Sequence, residues 1–262
     1  MVLLPHPAKA YLHHLLQAGN RHDVHSPFVY DLVCQVLRKR TPSGLHGGIE
    51  LLRKQLLRST GVITVTDLGA GSRRHHSAER RVRDIAATAL KPRRQAEQLA
   101  RIAAYFSPDT ILELGTSLGI TTLYMARSAP AATVHTIEGC PATAAIAAGH
   151  FRQMHAANIV AHTGSFRDML PGILDGISQL DLAYIDGHHQ GGPTLDYFTQ
   201  CLAKSHNDTV FIFDDIHWST DMERAWEVIK AHPSITVTID LFHFGLVFLR
   251  QEQQREHFKL RY

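Results

Sequence analysis

The chain has 262 residues, 44% of them hydrophobic and 19% charged, with a formal net charge of +3. Those proportions fit a soluble globular protein whose core needs no disulfide or structural metal. The small charge argues against a nucleic-acid partner, and no run approaches the ~20 apolar residues that span a bilayer.

Cys34, Cys140 and Cys201 are scattered and form no CxxC, so they read as reduced thiols. The opening MVLLPHPAKAYLHHLL has no basic start, long apolar stretch or small-residue cleavage site. A signal peptide is therefore not expected, and a cytoplasmic location is. Histidines number 19, with adjacent pairs such as His13-His14 and His188-His189. No two show the i, i+4 spacing of a helical zinc site, so a histidine metal site is not expected.

In chain order, residues 7–60 read as helical. PAKAYLHHLLQAG ends at Gly19, and SPFVYDLVCQVLRKR has Ser26 as N-cap with Pro27 at the first helical position. GGIELLRKQLLRS follows with apolar residues at helical spacing. Residues 62–66 read as a short strand, and 77–106 as helix broken near Pro92. Basic residues gather here: Arg73, Arg74, Arg80, Arg81, Arg83, Lys91, Arg93, Arg94 and Arg101 stand against Glu79, Asp84 and Glu97.

From residue 110 apolar strand-like runs alternate with segments rich in Ala, Leu and Met. The strand candidates are residues 111–114, 133–137, 159–162, 180–185, 210–213, 236–241 and 246–249. Helical candidates between them include 119–128, 141–156, 166–175 and 193–203. This alternation predicts an α/β fold with a doubly wound, Rossmann-like seven-stranded sheet. The last two strands lie too close for a helical crossover and must form a C-terminal antiparallel hairpin. The expected division is residues 1–90 as an N-terminal helical extension or lid, and 91–262 as the cofactor-binding domain.

Two strings look like cofactor turns: ITVTDLGAGS near residue 65 and TILELGTSLGIT from residue 110. A cofactor turn lies between a strand and a helix, with an acid at the tip of the next strand. The second string qualifies. Its strand ends near Glu113, Gly115 and Gly119 allow close backbone approach, and Glu138 ends the following strand 25 residues after Glu113. Glu138 suits the two hydroxyls of a ribose. The spacing is GxxxG rather than the GxGxxG that seats a pyrophosphate. Glu113 is an acid that repels phosphate and suits an ammonium or sulfonium, which favours S-adenosylmethionine over a dinucleotide. The first string has no second strand and no acidic tip. It reads as a surface loop, or as a lid hinged at Gly69 and Gly71 with the basic stretch covering a substrate pocket.

These residues resemble the class I S-adenosylmethionine-dependent methyltransferases, and more closely the catechol and caffeoyl-CoA O-methyltransferase-like group, over roughly residues 91–250. HDVHSPFVYDLV, DLGAGS and FDDIHWSTDMERAW resemble an uncharacterised bacterial branch of it. The resemblance implies that Thr116, Ser117 and Thr121 serve the methionine carboxylate and amine. It makes Glu138 the ribose ligand, with Gly139 under the adenine. GSFRDMLP resembles the adenine-contacting stretch and places Ser165, Phe166 and Arg167 around the base.

The group's metal site implies Asp186, Asp214 and Asp215 as oxygen ligands for Mg²⁺ or another divalent cation, with Asp215 where the usual residue is Asn. His189 stands where the group often has a general-base Lys. The alternatives are a metal-free polar pocket floor and a flexible helix-capping loop. His217 is a second base candidate, and Trp218 reads as pocket wall.

The implied activity is methyl transfer to a hydroxyl of a small-molecule acceptor, with His189 and Asp186 as catalytic residues and Asp186 also among the cofactor-binding ones. No nucleic-acid or membrane partner is expected. The N-terminal helices read as one wall of the acceptor pocket or as a homodimer contact. A non-catalytic cofactor-binding protein and another transferase on the same fold are the alternatives.

Overall fold

The computed structural model describes residues 5–42, 44–66 and 78–261. Helix α1 (His6–Gln17) is followed by a short 3₁₀ turn and by α2 (Pro27–Leu32), which runs on into a π-helical turn over Val33–Leu37. Ser26 caps α2 by accepting the Val29 N–H, and Pro27 opens it, as its sequence predicts. Then come α3 (Gly47–Leu56), β1 (Val62–Thr64), β2 (Glu79–Arg81), α4 (Val82–Ala89) and α5 (Arg93–Phe106). Pro92 separates α4 from α5, since its missing N–H and fixed φ suit a helix start.

The alternating half runs β3 (Thr110–Leu114), α6 (Ile120–Ser128), β4 (Thr133–Glu138), α7 (Pro141–Gln153), β5 (Ile159–Thr163), α8 (Phe166–Gly176) and β6 (Leu180–Ile185). It continues with α9 (Gly191–Leu202), β7 (Ser205–Asp214), α10 (Thr220–Ala231), β8 (Val237–Asp240), β9 (Phe244–Phe248) and β10 (Glu256–Lys259).

The chain divides into two compact units, made of the described residues of Arg40–Ile177 and of Met1–Lys39 with Ser178–Tyr262. The extension expected over residues 1–90 contributes α3 and α4 to the first and α1 and α2 to the second. In the first unit β3, β4 and β5 pair in parallel. Ile49, Leu52 and Leu56 of α3 fall on one face and are buried with Ala96, Ala100, Leu123, Tyr124 and Phe151. Each such Leu or Ile contributes about 1.5–3 kcal/mol by leaving water. Glu50 of α3 accepts from Tyr124 Oη at 2.7 Å and Arg53 Nε at 2.9 Å, so the polar edge of the same helix is also tied down.

β1 pairs with β2, antiparallel, with Val62 opposite Arg81. A strand thus follows the first glycine string after all, but it is not the parallel strand of a cofactor unit. The string DLGAGS itself, with the hinge expected at Gly69 and Gly71 and with Arg73 and Arg74, lies outside the described residues.

In the second unit β6 and β7 are parallel, and β9 lies between β7 and β8, antiparallel to both. This is the expected terminal hairpin. The sequence reading ended there, whereas β10 adds a strand parallel to β8. Its residues EHFK alternate poorly and stay largely exposed, which hid it from a hydrophobic-pattern reading. Beyond β10, Gly19 N–H donates to Lys259 C=O at 2.9 Å and Arg261 N–H to Gly19 C=O at 3.0 Å, fastening the end of α1's loop to the C-terminal strand. Among the described residues no helix is long and apolar enough to cross a membrane. Cys34, Cys140 and Cys201 are free.

Candidate functional site

The turn after β3 is built by its glycines. Gly115 holds φ at 109° and Gly119 at 79°, both in the left-handed region where a Cβ is strained. A Cβ on Gly119 would lie 2.6 Å from Phe151 Cε1. The N–H groups of Gly115 and Thr116 donate to Ile137 C=O at 3.0 and 3.1 Å, which seats the turn on the last residues of β4.

Glu138 ends β4, and its carboxylate is held at both oxygens. Ser117 N–H donates to Oε2 at 2.8 Å and Cys140 N–H to Oε1 at 2.9 Å. Burial pushes its pKa up, opposed by the N–H groups of Cys140, Ser117 and Gly139. Each oxygen keeps lone pairs for further donors, so the group remains fit to accept from a vicinal diol. Gly164 N–H donates to Glu138 C=O at 3.0 Å, bringing the next turn alongside. There Ser165 caps α8, accepting from Asp168 N–H and donating to Asp168 Oδ2 at 2.6 Å. Phe166 is buried and Arg167 exposed, so the two residues proposed around the base present different surfaces.

Glu113 behaves differently from the expectation. It is fully buried, and its carboxylate accepts from the hydroxyls of Thr121 at 2.9 Å and Thr136 at 2.6 Å, and from Thr122. Thr136 spends its one proton on Glu113, so the close Thr116 hydroxyl must donate to Thr136. Glu113, Thr116 and Thr121 are thus a buried network joining β3, α6 and β4 in this structure, with their side chains turned to one another. Thr122 and Thr136, which the motif reading did not single out, complete it. Thr136 stands opposite Glu113 in the β3–β4 register, so strand pairing was the signal available.

In the other unit, β6 delivers Asp186 and β7 delivers Asp214. Asp186 Oδ2 accepts from Tyr184 Oη at 2.8 Å, and Oδ1 lies 3.8 Å from His189 Nε2. Tyr184 is two residues before Asp186 and so on the same side of the strand, a relation the period of 2 makes legible. His188 and His189 both hold left-handed φ, 65° and 43°, and the His189 N–H donates to Gly187 C=O. Two adjacent non-glycine residues in that region mark a loop fixed by its surroundings. His188 Nδ1 is 2.7 Å from Tyr197 Oη, and Gly191 N–H donates to Asp221 Oδ2 at 2.6 Å.

Asp186, His189 and Asp214 each place one ligand atom within 4.8 Å of the others. Asp215 is outside that group. Its φ of 49° turns the chain after β7, and its N–H donates to His243 C=O. Two carboxylates and an imidazole fit a divalent cation, with the carboxylates suiting Mn²⁺ and the nitrogen drawing the site toward Zn²⁺ and away from an all-oxygen Mg²⁺ cage. The His189 and Trp218 rings are 6.0 Å apart, so Trp218 flanks this cluster as a wall would.

His217 is not free to act as a base. Nδ1 lies 2.9 Å from Glu223 Oε1 and Nε2 lies 2.9 Å from Asp240 Oδ2. Burial works against its cation, but the two carboxylates outweigh it and hold the pKa above the ordinary histidine value.

Residues 112–216 match a family described as a methyltransferase domain. A catechol O-methyltransferase from Niastella koreensis is 30% identical over 125 residues, which is 47% of this chain and 56% of that protein. The chain therefore spans little more than half the length of that curated relative. The O-methyltransferase from Bacillus cereus, solved with S-adenosylhomocysteine, shares the fold with a TM-score of 0.57 at 20% identity, covering 85% of this chain and 97% of that one. An O-methyltransferase of Streptomyces achromogenes involved in tomaymycin synthesis, solved with S-adenosylmethionine, gives a TM-score of 0.54 at 23% identity, over 62% of this chain and 82% of its own. The match to the methyltransferase-domain model thus spans the stretch from β3 to just past β7, and the α/β, Rossmann-like fold is the one shared with these solved O-methyltransferases.

Proposed function

We propose that the protein transfers the methyl group of S-adenosylmethionine to a hydroxyl of a small-molecule acceptor. The observation that carries this is Glu138, held at both oxygens by Ser117 and Cys140 N–H groups beside the Gly115–Gly119 turn. A dinucleotide needs phosphate donors there, and the turn's nearest side chains are carboxylates and hydroxyls. In the bound state Glu138 accepts from the ribose hydroxyls, while Gly139, Ser165, Phe166 and Arg167 border the adenine. The backbone of Gly115 to Ser117 faces the methionine portion.

Methyl transfer is an in-line displacement at carbon, so the chain's main task is to align acceptor oxygen and sulfonium. The acceptor proton falls to the cluster of Asp186, His189 and Asp214. His189 Nε2 takes it, with Asp186 Oδ1, 3.8 Å away, stabilising the resulting cation. Tyr184 fixes the orientation of Asp186. A divalent ion held by Asp186 and Asp214, when bound, supplies Lewis acidity to the acceptor oxygen. In that case Nε2 serves as a third ligand and cannot also be the base.

The relative from Niastella koreensis makes a vicinal aromatic diol the first acceptor to test. A cytoplasmic setting suits three free cysteines. Helices α1 and α2, rather than the whole of residues 1–90, border the acceptor or join two copies, a reading supported by the exposed Leu12 and Leu16 of α1. Calorimetric titration with S-adenosylmethionine and S-adenosylhomocysteine, followed by a labelled-methyl assay on phenols and catechols, tests the proposal. Binding of neither cofactor form would overturn it.

A further inference from the structure

A second cluster lies within the unit that holds α1, sharing no residue with the Asp186, His189 and Asp214 group although His217 follows Asp214 by three residues. His14 projects from α1, His217 from the turn after β7, and Asp240 from the end of β8. His14 and Asp240 are only 3% and 4% exposed. His14 Nδ1 is 3.3 Å from Asp240 Oδ1, and His217 Nε2 is 2.9 Å from Asp240 Oδ2. One ligand atom from each of the three lies within 4.8 Å of the others.

We propose that His14, His217 and Asp240 bind a first-row divalent transition metal that fastens α1 to the ends of β7 and β8. Ligands 2.0–2.1 Å from a tetrahedral ion lie about 3.3 Å from one another, so these separations need only small adjustment. Two imidazoles and a carboxylate suit Zn²⁺ and its neighbours, with water or the second carboxylate oxygen in the fourth position.

The surroundings are those of a ligand set held in advance. Metal-binding histidines typically pass their other ring N–H to a carboxylate. His217 does so through Nδ1 to Glu223 at 2.9 Å, and His6 Nε2 approaches the same carboxylate at 3.3 Å. The ring of Phe242 stacks on His217 at 5.2 Å and meets His14 edge-on at 5.5 Å, fixing both imidazole planes. Phe242 N–H donates to Asp240 Oδ1 at 2.8 Å. Without the ion, His217 bonds Asp240 through a proton on Nε2. Binding replaces that proton, so one ion enters and one proton leaves to solvent. No single helix carries the three residues, which is why the absence of i, i+4 histidine pairs did not exclude the site.

The experiment uses the full chain carrying Asp186→Asn and Asp214→Asn, which removes the other ligand cluster. After chelation and dialysis, Zn²⁺ is titrated and bound metal is counted by atomic spectroscopy. One ion per chain is expected. His14→Gln should lower affinity at least ~100-fold and Glu223→Gln about 10-fold, the range seen for outer-shell partners. Long-range ¹H–¹⁵N imidazole spectra of the same protein without further substitution should show His14 and His217 shifting on Zn²⁺ addition. That readout stands even where His14→Gln does not fold. No bound ion, affinity unchanged by a folded His14→Gln, or unmoved imidazole signals overturns the proposal and leaves the cluster a proton-shared strut.

Discussion

Ser117 N–H lies 2.8 Å from Glu138 Oε2, and Ser117 itself holds a left-handed φ of 48°. The Gly115–Gly119 turn and the acid at the tip of β4 are therefore one structural piece, in which the acid is held in place by the fold itself. Under the proposed function, Glu138→Ala removes the acceptor for two ribose hydroxyls. At about 1.5–3 kcal/mol per hydrogen bond to a charged group, two such bonds make the loss roughly 10²–10⁴-fold in affinity. Calorimetry with S-adenosylhomocysteine checks it; wild-type affinity in the variant would mean that the ribose sits elsewhere.

The same carboxylate sets a pH dependence. Burial, opposed by three backbone N–H groups, raises the Glu138 pKa above the ordinary value of 4.5. A raised carboxylate favours the protonated form in the fold. Its contribution to stability is present below the unfolded pKa and is lost as pH rises through the folded pKa. Cofactor binding has the opposite sign, because the ribose needs the ionised form as acceptor. Affinity should thus begin to fall on acidification at a pH above the usual glutamate range. A titration series down to mild acid, with Glu138→Gln as the pH-insensitive control, measures this.

Glu113 offers a stability prediction instead. Glu113→Ala leaves the Thr121, Thr122 and Thr136 hydroxyls in a buried site without their acceptor. At about 1 kcal/mol each, the cost is about 3 kcal/mol. Urea unfolding should show it, and adding Thr136→Val should cost less than the sum of the two changes, because the groups share one network. Full additivity would show that the hydroxyls act independently.

The parallel strands, their crossover helices and the terminal hairpin were legible because apolar runs and turn residues repeat on scales the sequence displays. Glu138 was legible because strand, turn and helix lengths fix where the next strand must end. The role of Glu113 was not, since it depends on Thr136 facing it from another strand. Nor was the exchange of Asp215 for His189 in the ligand cluster. That follows from left-handed backbone at His188, His189 and Asp215, a conformation that His and Asp favour more than most residues but that the sequence does not assign to these three positions. β10 escaped notice because a four-residue strand with Phe258 as its one apolar residue lacks the apolar period that reveals its neighbours.

Gly119 tests whether the turn's geometry is obligatory. Its φ of 79° costs any other residue about 1 kcal/mol, and an alanine Cβ would also strike Phe151. Together these predict that Gly119→Ala loses about 2–4 kcal/mol. Phe151→Ala is itself costly, since it empties part of the α3–α7 core. The double variant should nonetheless be more stable than the two single effects added, because the clash with Phe151 is gone and only the φ strain and a close approach to Ala147 Cβ, 3.2 Å, persist. Thermal and urea unfolding of the four proteins gives the coupling directly, and a coupling near zero would mean that the backbone shifts to avoid Phe151.

The last prediction separates base from ligand at His189. Nε2 sits 3.8 Å from Asp186 Oδ1, too long for a hydrogen bond but close enough for an ion pair or for two ligands of one ion. If His189 is the base, His189→Gln should lower kcat by roughly 10²–10⁴ while cofactor affinity is unchanged, and a chelator should leave the wild-type rate intact. If Asp186, His189 and Asp214 hold a cation, a chelator should remove wild-type activity and Mn²⁺ should restore it. His189→Gln should then mainly raise the Mn²⁺ concentration needed, because a ligand has been weakened rather than a proton acceptor lost. Asp214→Asn sharpens the distinction. It is expected to abolish metal retention under the second mechanism and to reduce the rate only modestly under the first, where Asp214 supplies field rather than bonds. Rates measured across a Mn²⁺ series for these three proteins decide the matter, and wild-type kcat in His189→Gln at every Mn²⁺ concentration, metal-free included, would remove this histidine from the chemistry altogether.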